Sequence, residues 1–484
     1  MRRILRATGA KWRATPWWLR LAAIGAMLWL GRKWLLIGAA IIAFHPIPIP
    51  PFWLSEPRSP TEARLQDLRH FAHVRRYERS MTDETRARFD AVVADLHRRA
   101  GSLSDAEFML GLARAQATID NGHSNASAAA MIRHFPRLPV RMAFFGEELR
   151  VLRASRDYPD LLGLRVTHID GVSVAEVARR FRDAFGGTDA NYRVVAPLLI
   201  ETPAFLDAVG LSGGAPTLRF VRADGATIDR TLPPLDTRSV DTGTFPGDLA
   251  MPWRRDDPRL IPFAPAGSPL FLARPARGYW WQDLPELEAV YFNLRTNLND
   301  GSAQSLRDFS QAAIEMLRKR RDRPRAIIVD LRFNHGGDLS LTHDLMVELG
   351  DAVGADGRIY LLTSGNTFSA AIVSMAFAKE AAPDRTLIVG EEIGDRLQFW
   401  AEGWAFELPN SGFRARYATA FYDLQKGCHG LFRCYWGAFY LFPVIVDDLG
   451  VDIPAPLTFD AYAAGRDPAL EAVRRAEAAR AAEL

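Results

Sequence analysis

The sequence predicts an α/β fold whose largest domain is built on a mixed, largely parallel sheet. Between residues 269 and 484, nearly continuous apolar segments such as RAIIVDLRF (325–333) and GRIYLLTS (357–364) alternate with helical patterns. Such segments are typical of parallel strands that are covered on both faces. Between residues 131 and 235, short alternating segments are separated by Gly and Asp-Gly turns, which indicates a small β-rich module. A chain of 484 residues is also long enough for more than one domain.

The order of patterns along the chain predicts five segments. Residues 56–130 place apolar side chains three or four positions apart, as in helices, and one helix opens with the capping box Ser104-x-x-Glu107. That helix is expected to end at Asp120-Asn121-Gly122, directly before His123. The segments are a basic N-terminus (1–55), an N-terminal helical region (56–130), the β-rich module (131–235), a linker or loop rich in Asp, Pro and Gly (236–268), and the α/β core (269–484).

Composition and charge exclude disorder and argue against nucleic-acid binding. Hydrophobic residues make up 48% of the chain and charged residues 24%, which is typical of a globular protein. The formal net charge is +3, but the first 55 residues contain eight Arg and Lys and no acid, so the remainder is net acidic. An acidic body lacks the clustered cations that displace counterions from phosphates. We therefore expect no nucleic-acid partner.

The basic N-terminus surrounds two apolar runs, 21–31 and 34–44, which Pro46, Pro48, Pro50 and Pro51 follow. These features predict a transmembrane helix that anchors the protein, or a signal peptide, with a stiff Pro-rich connector behind it. The membrane is then a partner through this segment, and the positive flank places the body outside the cytoplasm, in the periplasm or the extracellular space. A buried N-terminal hairpin of a cytosolic protein is the alternative. Cys428 and Cys434 would form a disulfide in an oxidising compartment or remain two free thiols.

Two neighbouring strand ends carry residues with a chemical use. One strand ends in Asn334-His335-Gly336-Gly337, and the next ends where a helix begins at Ser369. Ser369 could attack a carbonyl carbon while backbone amides of Gly336, Gly337 and Ala370 bind the oxyanion that forms. Each feature also has an ordinary explanation, since Gly-Gly is common in turns and Ser is common as a helix cap. Their occurrence on adjacent strand ends favours the catalytic interpretation.

Three segments resemble the tail-specific or C-terminal-processing serine peptidases, including the tricorn core branch. IIVDLRFNHGGD (327–338) is similar to the D-L-R-x-N-x-G-G strand end of that family, NTFSAAI (366–372) to its nucleophile turn, and LIVGEEIGD (387–395) to its later V-G-E segment. The resemblance implies a crotonase-like core, a PDZ-like module at 131–235, and cleavage of a polypeptide substrate through an acyl-enzyme at Ser369. It implies no metal and no cofactor, and no zinc-binding H-E-x-x-H motif occurs in the sequence.

The general base is expected at a position other than the one that this family usually uses. Many members use a lysine about two dozen residues after the serine, where this chain has Gly394 and Asp395. The tricorn-like branch uses a histidine from the N-terminal region, and IDNGHSNAS (119–127) resembles the turn that supplies it. His123 is therefore the predicted base, because an imidazole titrates near neutral pH. His335, inside the Gly-Gly turn, is an alternative base.

A carboxylate is expected to orient the ring of His123. Glu391 is the choice that the resemblance implies, and Glu392 and Asp395 are alternatives. The missing lysine also motivates a second function from another class, a catalytically inactive peptide-binding or scaffold protein on the same fold. The sequence contains no signal for the oligomeric state.

Overall fold

The structure is a computed structural model that describes Gly31 and residues 55–212, 214–238, 250–252, 257–430, 433–435 and 440–483. Apart from Gly31, these residues belong to one compact unit, Pro51–Leu484. The predicted basic N-terminus lies outside the described residues except for Gly31 and Ser55.

The expectation of a transmembrane helix is corrected by the structure. Throughout the part of the chain that the structure describes, no helix is both long and apolar enough to cross a membrane. The apolar runs 21–31 and 34–44, on which that expectation rested, lie outside the described residues except for Gly31. The expectation of the membrane as a partner rested on the same segment, and no described helix supports it.

The first described elements are helices with polar N-caps. Ser59, Thr82 and Ser104 each accept a hydrogen bond from an amide of the first helical turn, and the predicted capping box of Ser104 and Glu107 is present. The helices are α1 (Pro60–Phe71), α2 (Val74–Tyr77), α3 (Asp83–Arg99) and α4 (Asp105–Ala117).

An antiparallel sheet follows, in the order β1-β2-β3-β5-β6, with β4 paired to β3 and β7 paired to β2. Its strands are β1 (Val140–Phe145), β2 (Glu148–Ser155), β3 (Arg165–Ile169), β4 (Val172–Ser173), β5 (Thr217–Val221), β6 (Thr227–Thr231) and β7 (Leu260–Pro262). The helices of this region are α5 (Ala128–Met131), α6 (Val174–Phe181), α7 (Asp189–Ile200) and α8 (Pro203–Ala208). Strand β7 lies in the segment that was predicted as a linker, so part of that segment completes the sheet.

The α/β core confirms the predicted mixed, partly parallel sheet. The order is β17-β12-β11-β10-β9-β8, in which β8 and β9 are antiparallel and the other pairs are parallel. The strands are β8 (Tyr279–Leu284), β9 (Ala289–Leu294), β10 (Ala326–Asp330), β11 (Arg358–Thr363), β12 (Thr386–Gly390) and β17 (Ile453–Pro454). The helices are α9 (Leu306–Arg318), α10 (His343–Ala352), α11 (Ala370–Ala381), α12 (Phe459–Ala463) and α13 (Pro468–Glu483).

Both faces of this sheet are buried, as the continuous apolar strands predict. Ile327, Val329 and Leu361 pack on one face with residues of α9, α10 and α11, and Ile328 and Tyr360 pack on the other with residues of α13. The carboxyl ends of β10, β11 and β12 therefore meet at one edge of the sheet. The turn at residues 334–337 and the loop that carries Ser369 begin at this edge.

Short hairpins and 3-10 turns complete the described chain. The strands β13 (Gln398–Ala401) and β16 (Ala420–Asp423) pair with each other, as do β14 (Trp404–Glu407) and β15 (Arg414–Tyr417). The 3-10 turns are Ile132–His134, Pro159–Leu161, Arg182–Ala184, Leu270–Leu272, Pro285–Leu287, Leu339–Leu341 and Pro383–Arg385. Cys428 and Cys434 form a disulfide with a Cα–Cα distance of 5.7 Å, which settles the alternative that the sequence left open.

Candidate active site

Ser369 has a backbone conformation that distinguishes it from a helix cap. It precedes α11 with φ 56° and ψ −126°, and its side chain makes no capping hydrogen bond. A positive φ is unfavourable for a residue with a Cβ and marks stored strain, which concentrates at functional sites. The Ser and Thr residues that do cap described helices have negative φ, and each accepts an amide hydrogen bond through its side chain: Ser59, Thr82, Ser104, Ser127, Ser173, Thr188, Ser305 and Thr458.

The Gly-Gly turn after β10 packs directly against Ser369. Gly336 has φ +93°, and a Cβ at this position would lie 2.7 Å from the Cβ of Ser369 and 2.8 Å from the amide nitrogen of Ala370. Gly337 has φ +140°, and a Cβ there would lie 2.7 Å from the backbone of Asn297. Both positions therefore require glycine, for backbone angle and for space.

The amides near Ser369 are not equivalent. The N–H of Gly336 donates to Oδ1 of Asn334 at 2.9 Å, so in this structure that amide already has a partner, and Gly336 leaves space for Ser369. The N–H groups of Gly337 and Ala370 donate to no other group within the described residues. Ala370 also begins α11, whose dipole places partial positive charge at that end. These two amides are thus available for a ligand oxygen.

His123 faces Asp395. Its Nδ1 lies 3.1 Å from Oδ2 of Asp395, and the two side chains are 11% and 2% exposed. The other carboxylate oxygen, Oδ1, accepts the N–H of Arg396 at 2.9 Å. A proton on Nδ1 satisfies the contact with the carboxylate, so we assign Nε2 as the unprotonated nitrogen. Nε2 is buried and has no hydrogen-bond partner in the described part of the chain.

A column of stacked rings holds His123 and leads to the cavity at Ser369. The centroid of the His123 ring lies 4.4 Å from that of Phe368, the residue before Ser369, and 5.2 Å from that of Phe399. Phe399 stacks on Tyr422 at 4.8 Å, and Tyr422 stacks on Tyr435 at 5.8 Å. Phe399, Tyr422 and Tyr435 line the same cavity as Ser369. The column therefore places His123 beside the serine loop.

The loop that carries His123 is fixed by side chains on either side of it. The amide of Asn121 donates to the backbone oxygen of Trp400 in β13 at 2.9 Å and accepts the N–H of the same residue at 3.2 Å. The hydroxyl of Ser124 donates to Glu78 at 2.7 Å. Burial raises the pKa of Glu78 above its ordinary value. The position of His123 thus depends on contacts with segments that are far away in sequence.

Glu391 and Glu392 lie apart from His123. The backbone of Glu391 is bound on both sides to Thr363, with its N–H donating at 3.1 Å and its carbonyl accepting at 2.7 Å. Its side chain lines a second cavity, of about 390 Å³, together with Glu392 and Arg332. Burial raises the pKa of Glu391 to about 7, and the nearby Arg332 opposes the shift. The structure therefore places Asp395, one of the alternatives, and not Glu391 at the imidazole.

His335, the alternative base, and Lys379, the lysine within α11, lie elsewhere. His335 is half-buried inside the turn between Asn334 and Gly336. Lys379, in the last turn of α11, donates to the carbonyl oxygen of Thr386 at 2.7 Å. That bond ties α11 to β12 and keeps the ammonium group out of the cavity at Ser369, so Lys379 does not replace the missing lysine.

The Asp-Leu-Arg segment 330–332 at the end of β10 is buried and supports the turn that follows it. Arg332 binds Asp330 and Asp467 at 2.6 and 2.7 Å, and Tyr291 donates to Asp330 at 2.6 Å. Arg332 holds the pKa of Asp330 below its ordinary value despite burial. This satisfied network anchors the end of β10 to α13.

The cavity at Ser369 has a volume of about 380 Å³. Its lining residues are Leu298, Gly337, Asp338, Leu339, Ser369, Ala370, Val373, Phe399, Glu402, Tyr422 and Tyr435. Within the described residues, no group of three or more His, Cys, Asp and Glu side chains could hold a metal ion. Sequence reasoning missed Phe399, Tyr422 and Glu402, because their relation to Ser369 depends on the pairing of β13 with β16, in which Phe399 faces Tyr422.

Comparisons with known proteins find similarity in structure. No protein-family model matches the sequence, and no curated protein matches it. Mature CPAF in complex with lactacystin is 12% identical, with a TM-score of 0.55, and the alignment covers 86% of this chain and 98% of that chain. Another structure of mature CPAF is 12% identical with a TM-score of 0.54, covering 86% of this chain and 96% of that chain.

The tricorn protease also matches, at 12% identity and a TM-score of 0.35, over 85% of this chain and 36% of that chain. A superposition of that quality carries no argument about the site. The resemblance to tail-specific peptidases that the motifs predict is thus confirmed at the level of the fold: this chain has the fold of mature CPAF.

Proposed function

We propose that the protein is a serine-type peptidase that cleaves polypeptide substrates at internal bonds through an acyl-enzyme at Ser369. The observation that carries the proposal is the backbone of Ser369, which is strained, uncapped and placed beside two amides with no acceptor. A serine that serves only to cap a helix has neither feature. The fold shared with mature CPAF and the peptidase-like motifs support this assignment.

The proposed reaction uses His123 as general base. The Oγ of Ser369 attacks the scissile carbonyl carbon while its proton passes to Nε2 of His123, and the N–H groups of Gly337 and Ala370 bind the oxyanion. The C–N bond then breaks, His123 returns the proton to the leaving amine, and water hydrolyses the ester. Asp395 holds the imidazole and stabilises its positive charge. In the absence of substrate, catalytic hydrogen bonds are often long and form fully when substrate binds.

The alternative is an inactive peptide-binding scaffold on the same fold. It would explain the missing lysine, but it gives no reason for a strained Ser369 or for a buried His123–Asp395 pair. A fluorophosphonate probe separates the two functions. Labelling of the wild type that is lost in Ser369→Ala and kept in Ser340→Ala, a matched serine in the neighbouring loop, supports the peptidase. Absence of labelling in a folded wild-type protein would leave the scaffold.

The finer architecture belongs to the same proposal. We propose that the antiparallel module is PDZ-like and binds part of the polypeptide chain, and that the α/β core is crotonase-like. Residues of β1 and α7 in the module line the second cavity together with residues that follow β10, β11 and β12. If the module binds substrate, KM for a long substrate should be lower than KM for a short peptide with the same scissile bond, and equal KM values would contradict it.

We also propose that the catalytic body is exported from the cytoplasm. The disulfide between Cys428 and Cys434 supports an oxidising compartment. A reporter that functions only outside the cytoplasm, fused after residue 60 of the full N-terminus, tests this location. Activity of the reporter is expected, and an inactive reporter in a well-expressed fusion would contradict it.

A further inference from the structure

The cavity at Ser369 combines an apolar lining with two carboxylates. Leu339, Val373 and Phe399 form part of its wall, and Asp338 directly follows Gly337, one of the proposed oxyanion donors. Glu402 lies on the same lining, in the turn between β13 and β14. The cavity is therefore continuous with the reacting groups and has charge of one sign.

Within the described residues, each carboxylate has one oxygen that accepts no hydrogen bond, and Asp338 is exposed while Glu402 is half-buried. Oδ1 of Asp338 accepts the N–H of Ser340 at 2.9 Å, and Oε1 of Glu402 accepts the hydroxyl of Tyr422 at 2.7 Å. In the described chain, neither carboxylate forms an ion pair with Arg, Lys or His, and no cationic side chain lines the cavity. The buried acids Asp330 and Asp467, in contrast, are both paired with Arg332.

The charges of both carboxylates raise the pKa values of the same two tyrosines in the cavity lining. Burial raises the pKa of Tyr435, and the charges of Glu402 and Asp338 raise it further. Tyr435 stacks on Tyr422, and burial and the charges of both carboxylates also raise the pKa of Tyr422. A cation placed beside these tyrosines would therefore be attracted by both acids at once.

The backbone at Glu402 and Gly403 forms a tight turn between β13 and β14. Glu402 has φ 58°, a left-handed conformation that is unfavourable for a Glu. The next residue, Gly403, has φ +75°, and a Cβ there would clash with the carbonyl oxygen of Tyr417. This tight turn holds Glu402 beside Tyr422, whose hydroxyl it accepts.

We propose that this cavity is the subsite for the substrate residue whose carbonyl is attacked, and that it selects lysine or arginine at that position. Such a side chain has a long apolar stem that packs on the aromatic and aliphatic wall, and a cationic head that reaches Asp338 and Glu402. A leucine would fill the stem region but would cover the open carboxylate oxygens without pairing them. The inference rests on the proposed function and adds the substrate class.

The test measures kcat/KM for peptides that differ only at this residue, with Lys, Leu or Glu. We expect the wild type to prefer Lys over Leu by about 10-fold, because the cation can pair with the half-buried Glu402 and with the exposed Asp338 at once. The Lys/Leu ratio should fall by about 3-fold in Glu402→Gln and in Asp338→Asn, and to about 1 in the double variant. Glu315→Gln, an exposed acid on α9, is the charge-matched control and should keep the wild-type ratio.

Each outcome has a distinct meaning. Equal wild-type turnover of the Lys and Leu peptides, or a ratio that the double variant leaves unchanged, would overturn the inference and leave the peptidase in place. Hydrolysis of none of the peptides, together with no fluorophosphonate labelling, would overturn the proposed function and this inference with it. A ratio that falls equally in Glu315→Gln would assign the effect to net charge and overturn the role of the cavity.

Discussion

The contact between Gly336 and Ser369 allows a perturbation of the site whose size follows from the structure. In Gly336→Ala the new Cβ would meet the Cβ of Ser369 at 2.7 Å, whereas ordinary contacts begin at 3.4 Å. The two loops must therefore separate by about 0.7 Å in a closely packed region. A displacement of about 1 Å in a catalytic constellation costs about 100-fold in rate. We expect kcat to fall by about that factor.

A matched control separates this displacement from the cost of the backbone angle. Gly225 has φ +84°, close to the +93° of Gly336, but a Cβ there meets nothing within 4 Å. Both alanine variants should lose about 1–2 kcal/mol of folding free energy from the left-handed backbone. Only Gly336→Ala should lose activity, measured as peptide hydrolysis beside urea unfolding curves. Wild-type kcat in a folded Gly336→Ala protein would refute the close packing of the Gly-Gly turn on the nucleophile.

The carboxylates of Asp395 and Glu391 and the disulfide allow three further tests. Asp395→Asn should lower kcat by about 10⁴-fold, because the amide no longer stabilises a protonated His123; a variant that keeps a tenth of wild-type kcat would remove Asp395 from the site. Burial raises the pKa of Glu391 from 4.5 to about 7, so the folded state binds more protons than the unfolded state between these values, and the free energy of unfolding should decrease as pH rises through that window. Glu391→Gln should flatten this decrease in urea titrations at pH 5 and 7.5, and an unchanged slope would contradict the assignment. Replacing both Cys428 and Cys434 by Ser should lower the free energy of unfolding by about 2 kcal/mol, as expected for closing a short loop, whereas equal stability with and without reductant in the wild type would argue against the bridge.

The parts of the site that local patterns determine could be predicted from the sequence. Ser369 and Gly337 follow the apolar strands β11 and β10, and parallel strands bring their carboxyl ends to one edge of a sheet. The mixed sheet was predictable for the same reason, since its strands are continuous in apolar residues and alternate with helical patterns.

The contacts that depend on loop paths could not be predicted. Glu391 and Asp395 are four residues apart, and the hydrogen bonds of Glu391 to Thr363 place its side chain in the other cavity while Asp395 reaches His123. The ring column requires the register in which Phe399 faces Tyr422, and no local pattern specifies the partner of a short strand. The strand β7 likewise lies in a segment whose Asp, Pro and Gly content indicates a loop.

In the proposed reaction, Ser369 forms a covalent acyl intermediate during turnover. The most direct measurement is the intact mass of the protein, rapidly acid-quenched during reaction with a p-nitrophenyl ester, followed by peptide mapping of the adduct. We expect one acyl group on the peptide that contains Ser369 in the wild type and in Ser340→Ala, and none in Ser369→Ala. Ester turnover by Ser369→Ala at the wild-type rate, or an adduct on another residue, would contradict it.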